Sequence, residues 1–195
     1  MYFPSLASTR VLLASSSPRR LELLRLVGLD PIVLVHPTDE SYPSDLPAAD
    51  VAEYVARKKA EACVGDLGPG DILIAGDTVV VRDGVVLGKP RDAEEARAML
   101  LSLSGRTHSV YSAYAVAYPD GKIRSGADTC DVTFLPVPDH VLDTYVATGA
   151  PLDKAGGYGI QDAFGAIIVS EIRGSYFTVM GLPVHLLTQL LVAED

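Results

Sequence analysis

The chain alternates between two kinds of apolar pattern. Arg10-Val11-Leu12-Leu13-Ala14 reads as a short buried strand, apolar after its first residue. Ser15-Ser16-Ser17 interrupts it. After Pro18, Leu21, Leu24 and Val27 recur at helical spacing, and Gly28 supplies a stop. Ser17 suits the N-cap and Pro18 the first helical position, where a missing N–H is no loss. This opening predicts a strand, a tight hydroxyl-rich turn and a helix.

The pattern continues with a strand over Ile32–Val35 that stops at Pro37, then a polar loop containing Asp39, Glu40, Pro43 and Pro47. Asp50 with Glu53 reads as a capping box opening a helix to about Val64, with Lys58 and Lys59 near its middle. Ile72–Ala75 is apolar throughout, as in the middle of a sheet, and is followed by Gly76-Asp77-Thr78. Val79–Arg82 and Val85–Leu87 flank Asp83-Gly84, a strong hairpin signal closed by Gly88-Lys89-Pro90. Asp92 with Glu95 opens a helix bearing Ala96, Met99, Leu100 and Leu103, ended by Gly105. Val110–Ala117 and the run near Ile123 form a hairpin around Pro119-Asp120-Gly121. Asp131–Val137 is a strand, Asp139–Ala147 a helix, Gly165–Ile172 a strand, and Pro183 begins a last helix to Val192. Hairpins inserted among crossover units predict an α/β fold: a mixed twisted sheet with flanking helices. No linker stands out. We expect one domain over residues 1–195, elongated and two-lobed, with a central cleft.

Composition narrows the functional classes. The 195 residues are 48% hydrophobic and 21% charged, the proportions of a folded globular protein. Sixteen Lys and Arg against twenty-five Asp and Glu leave a net charge of −9, unsuited to non-specific nucleic-acid or anionic-membrane binding. No apolar run approaches the roughly 20 residues of a membrane span. The N-terminal residues carry no apolar leader core. Cys63 and Cys130 form no CxxC and read as reduced, buried side chains of a cytoplasmic protein.

Several common chemistries are missing. The chain has no phosphate-binding GxxxxGK[ST], no dinucleotide fingerprint and no GxSxG elbow. His36, His108, His140 and His185 show no ligand spacing and read as surface or core histidines. What remains is a distinctive placement of charge. Ser15, Ser17, Arg19 and Arg20 sit at a strand-to-helix turn. Cations oppose the dipole at a helix N-terminus, so the pair reads either as an anion site or as solvated arginines on a capped helix. Asp77 follows a buried strand, where ligands bind in open α/β sheets; it could hold Mg²⁺, activate water, do both, or cap a turn. Lys89 folds back toward the same crevice or lies on the surface of its turn. Asp39 and Glu40 are either hard-metal ligands or a solvated acidic pair. Asp153–Gln161 reads DKAGGYGIQ, glycine-rich backbone that aims Lys154 and Gln161. An amide offers a donor and an acceptor side by side, which suits a uracil or thymine edge.

Taken together and in order, these segments resemble the Maf family of nucleoside triphosphate pyrophosphatases, once called septum formation inhibitors. The matching pieces are LLASSSPRRLELL (Leu12 to Leu24), the Lys59-Ala60 helix, GDTVV (Gly76 to Val80), LGKPRDAEEARAMLLSLSGRTHSV (Leu87 to Val110), LDKAGGYGIQ (Leu152 to Gln161) and GSYFTVMGLP (Gly174 to Pro183). The resemblance implies cleavage between the α and β phosphates with a divalent cation, Mg²⁺ or Mn²⁺, in a cleft between two lobes. It implies that Asp77 is the proton acceptor and that Glu40 lies near the metal, with Asp77 a metal ligand too. It assigns Ser15, Arg19, Arg20, Lys59 and Lys89 to the phosphates, and Arg19, Thr78 and Gln161 to substrate choice. The DKAG…GIQ form looks like the branch acting on dTTP and UTP, a nucleotide-pool cleaning activity. A sister branch is associated with 7-methyl-GTP. Gly156-Gly157 stands where Gly-Ala is usual, and Asp162 where Gly is usual, which sets a negative charge beside Gln161. The family's older name motivates a different reading, a nucleotide-binding regulator of cell division with little catalysis. Asp77 and Glu40 argue against it, since binding alone needs no water-activating carboxylate. A homodimer is expected for an intracellular enzyme of this size.

Overall fold

The computed structural model describes residues 2–193. In chain order the elements are β1 (Val11–Ala14), α1 (Pro18–Leu26), β2 (Ile32–Val33), α2 (Val51–Glu61), β3 (Ile72–Arg82), β4 (Val85–Leu87), α3 (Ala93–Leu103), β5 (Thr107–Ala117), β6 (Ile123–Phe134), α4 (Asp139–Ala147), α5 (Ala163–Ile168), β7 (Val169–Arg173), α6 (Tyr176–Met180) and α7 (Val184–Val192). The strands form one seven-stranded sheet in the order β2-β1-β3-β5-β6-β7, with β4 paired to β3. β1 runs parallel to β2 and β3; β4 runs antiparallel to β3, and β7 to β6. The expected mixed sheet with flanking helices is therefore present.

The chain divides into two compact units. The first comprises the residues up to Asp77, Ser112–Asp128 and the segment from Gly181; the second comprises Thr78–Tyr111 and Thr129–Met180. In the first unit β1 is buried along its whole length and aligns with β3 from Val11↔Ile72 to Ala14↔Ala75. Leu13, Leu24, Leu73, Ile74 and Leu187 are fully buried there. In the second unit a core forms from Val80, Leu100, Phe134, Leu142, Tyr158 and Phe164, among others. The rings of His108, Phe134 and Tyr158 meet edge-on, with centroids 4.8 to 5.4 Å apart.

Several sequence expectations need correction. The strand expected to stop at Ala75 runs on to Arg82, so Asp77 lies inside β3 and not beyond a strand's carboxyl end. Pairing with β1 on one half and β4 on the other keeps the polar Gly76-Asp77-Thr78 step extended. The run near Ile123 and the strand at Asp131 are one element, β6, which ends at Phe134. The strand expected over Gly165–Ile172 is α5 followed by β7, because a short apolar run cannot be told from a buried helix by periodicity. β2 covers only Ile32–Val33, and α2 ends at Glu61. α1 turns Arg20, Leu23 and Leu24 inward, with Leu21 and Val27 only half-buried. Ser17 and Asp50 occupy N-cap positions without a side-chain capping bond, whereas Asp92 accepts from the Glu95 N–H. Asp83 and Gly84 both take positive φ, 51° and 78°, as the tight hairpin requires.

Candidate active site

The site is assembled on the first unit from the β1–α1 turn inward. Ser15 Oγ accepts from the Ser17 N–H at 3.2 Å and from Arg20 Nη1 at 3.1 Å. Both bonds use the oxygen, so the hydroxyl proton remains to donate to a ligand. Arg20 Nε donates to the Gly181 carbonyl at 2.9 Å, tying α1 to the segment ahead of α7. The side chain is buried. Burial pulls its pKa below the ordinary value; Asp77 and Glu40 oppose that, and Arg19 adds to it. A guanidinium stays charged at neutral pH even so, and a buried charge needs fixed counter-charges.

Gly76 makes room for this arginine. A Cβ there would lie 3.0 Å from the Ala113 carbonyl oxygen and 3.2 Å from Arg20 Nε. Immediately after it, Asp77 Oδ1 accepts from Lys59 Nζ at 2.7 Å. Glu40 Oε1 lies 2.9 Å from the same ammonium. Lys59 and Asp77 side chains are each 14% exposed and Glu40 is 54% exposed, so the triad faces outward from β3 through the loop end. That loop is tied down next door: Lys58 Nζ donates to the Ser41 carbonyl at 2.9 Å, and Asp39 accepts from the Ser41 N–H at 2.9 Å. Asp39 is thus occupied in its own turn, and Glu40 is the loop carboxylate that reaches the cluster.

The structure therefore brings Ser15, Arg20, Lys59, Glu40 and Asp77 into one linked set, with Arg19 half-buried beside Arg20. Cations and carboxylates alternate, which suits a ligand bearing several phosphates and a hard cation. Asp77 and Glu40 offer only oxygen donors, as Mg²⁺ or Mn²⁺ prefers, and they already converge on one positive charge, Lys59. No cluster of three or more His, Cys, Asp or Glu ligands occurs among the described residues. The pair fits a cation that completes its shell with water and substrate phosphate.

Thr78, Lys89 and Gln161 belong to the second unit. Lys89 is exposed on its turn, one residue after Gly88, whose carbonyl accepts from the Gly156 N–H at 3.0 Å. That bond holds the Lys89 turn against the glycine-rich segment. Gly156 is demanded there by φ 69° and by Val80, whose Cγ2 would lie 2.8 Å from an added Cβ. Gln161 is exposed. Lys154 is not: it is buried, and its ammonium donates to the Ala150 carbonyl at 2.6 Å and to Asp153 at 2.7 Å. The Asp162 carboxylate is engaged too, accepting from the Tyr145 hydroxyl at 2.9 Å with Lys154 Nζ 3.6 Å away. Sequence reasoning missed the Gly181 carbonyl, the Gly76 clearance and the Tyr145–Asp162 bond. Only the glycine beside Asp77 carried any local signal.

The description "Maf-like protein" matches residues 10–194. The chain belongs to the Maf family. Among Maf relatives, the dTTP/UTP pyrophosphatase of Symbiobacterium thermophilum is 46% identical, covering 93% of this chain and 92% of its own. That of Chromobacterium violaceum is 45% identical over 95% and 94%, and that of Bacteroides thetaiotaomicron 42% over 90% and 91%. Solved structures are more distant. A HAM1 protein from Coxiella burnetii superposes with a TM-score of 0.47 at 16% identity, covering 95% of this chain and 98% of that one. The Staphylococcus aureus Ham1 protein gives 0.46 at 16%, covering 65% and 72%.

Proposed function

We propose that this Maf protein hydrolyses nucleoside triphosphates, dTTP and UTP preferred, to the monophosphate and pyrophosphate. The observation that carries the reading is the Lys59 ammonium held between Asp77 and Glu40 at 2.7 and 2.9 Å, beside buried Arg20. Paired carboxylates next to converging cations suit hydrolysis of a polyanion. The dTTP/UTP pyrophosphatase relatives at 42% to 46% identity support the substrate class.

In this mechanism Arg19, Arg20, Lys59 and the Ser15 hydroxyl bind the phosphates, and Lys89 takes a further phosphate oxygen. A nucleoside triphosphate carries close to four negative charges, so these cations both bind it and stabilise the departing pyrophosphate. Asp77 accepts a proton from water as the water oxygen bonds to the α-phosphorus. The bond from that phosphorus to the bridging oxygen breaks, and pyrophosphate leaves with the electron pair. Asp77 and Glu40 would hold a divalent cation, which would supply charge neutralisation and acidify a bound water. Arg19, Thr78 and Gln161 choose the base. The resulting activity is removal of particular triphosphates from the nucleotide pool.

The test is pyrophosphate release from dTTP, UTP, CTP, GTP and 7-methyl-GTP with Mg²⁺, Mn²⁺ or EDTA. Metal-dependent release favouring dTTP and UTP is expected. Release favouring another base would retain the chemistry and remove the substrate assignment. Binding without release under every condition would replace the enzyme with a nucleotide-binding regulator.

A further inference from the structure

The turn from Gly159 to Asp162 exposes Gln161 and buries Gly159 and Ile160 beside it. The Asp162 N–H donates to the Gly159 carbonyl at 3.1 Å, closing the turn. From α4, the Tyr145 hydroxyl donates to Asp162 Oδ2 at 2.9 Å. One phenol thereby holds the far end of the four-residue turn. Buried Lys154 lies 3.6 Å from the same carboxylate oxygen. The Tyr145 ring stacks on Phe164 at 4.1 Å with planes 3° apart, and Phe164 belongs to α5, whose N-cap is Asp162. The backbone has no slack either. A Cβ on Gly159 would lie 2.7 Å from Asp162 Oδ2, and one on Gly165 only 2.4 Å from the Gly159 oxygen.

An exposed side chain does not need so constrained a support unless its direction matters. A Gln amide distinguishes a base edge with a carbonyl acceptor and an N–H donor from one with those roles exchanged only when its own oxygen and nitrogen are held in place. A loose turn would also have to be ordered when ligand arrives, which weakens binding.

We propose that Tyr145 and Asp162, backed by Lys154, are positioning residues that hold Gln161 in register for selection of the base. The inference rests on the base-reading role given to Gln161 above. Tyr145 acts from behind the turn and touches no reacting atom.

The experiment compares kcat/KM for UTP and CTP in the native enzyme, Tyr145→Phe, Gln161→Ala and the double variant. Tyr145→Phe retains the stacked ring and removes only the hydroxyl. Loss of one part-buried hydrogen bond that orients a reading group should lower the UTP-to-CTP ratio by about five- to tenfold. The change should fall on KM for UTP, with kcat within about twofold. In the Gln161→Ala background the same substitution should leave the ratio unmoved. A merely structural role would slow both substrates alike. If Tyr145→Phe keeps the native ratio while Gln161→Ala abolishes it, the positioning role is wrong and Gln161 keeps its own. If Gln161→Ala also keeps the ratio, the base-reading role falls and the inference falls with it. Should Tyr145→Phe not fold, Asp162→Asn, which keeps an oxygen for the phenol and removes the charge facing Lys154, is held to the same criteria.

Discussion

His108 is a buried histidine that the proposed chemistry does not use, and it makes a quantitative prediction about acid stability. The ring is 3% exposed, with Nε2 2.7 Å from the Tyr158 hydroxyl. Nδ1 has no hydrogen-bond partner among the described residues. Protonation would make donors of both ring nitrogens, with no acceptor for Nδ1 among those residues, in an apolar surround of Phe134 and Tyr158. Burial accordingly lowers the pKa from 6.5 to about 4, with the charge on Asp131 opposing the shift. The unfolded chain takes up this proton below pH 6.5 and the folded chain does not until about pH 4. Stability from His108 is therefore complete above pH 6.5 and is lost as the pH falls toward 4. Across that window the loss amounts to about 3 kcal/mol. Urea unfolding of the native protein and of His108→Gln, at steps from pH 7.5 to 4.5, isolates the contribution. Gln keeps a polar group toward Tyr158 and cannot titrate. The variant's stability should decline less steeply below pH 6.5. Parallel curves would show that the buried imidazole does not set the acid sensitivity.

Asp77→Asn keeps the shape of the side chain in mid-β3 and removes the proton acceptor. Turnover should fall by about 100-fold or more with the unfolding midpoint nearly unchanged, and near-native turnover would strip Asp77 of that role. Gly76→Ala puts a Cβ 3.0 Å from the Ala113 oxygen and 3.2 Å from Arg20 Nε, so Arg20 must move off the Gly181 carbonyl. KM for the triphosphate should rise by about fivefold, with a stability loss of about 1 kcal/mol; an unaltered KM would mean that Arg20 is not held for phosphate. Gly156→Ala combines φ 69° with a 2.8 Å approach to Val80 Cγ2. The urea midpoint should drop by the equivalent of about 2 kcal/mol or more, and a midpoint equal to the native one would contradict the geometry.

How far the chain could be read in advance depended on the range of each interaction. The Asp92 cap on Glu95, the Asp83-Gly84 turn and the buried stretch of β1 follow from residues a few positions apart, and each appears as expected. α5 is hidden because its five apolar residues suit a strand equally well; the cue is Asp162 at the N-cap. Gly-Asp-Thr looks like a turn past a strand's end as long as the pairing of the residues before it with β1 and after it with β4 is unknown.

The sequence alone determined the inventory of chemistry: Ser15, Arg19 and Arg20 at one helix start, Asp77 next to a glycine, and Gln161 at the end of a glycine-rich run. The tertiary structure decided how these groups are used. It buried Arg20 against the Gly181 carbonyl and brought Glu40 and Asp77 to one ammonium from opposite sides in the chain. It also gave the Asp162 carboxylate to Tyr145 and Lys154. Turns and caps are set by local dihedrals and adjacent hydrogen bonds, so they are written in neighbouring residues. Which distant charges meet, and which are shielded from water, is settled only when the sheet aligns its strands and the helices dock.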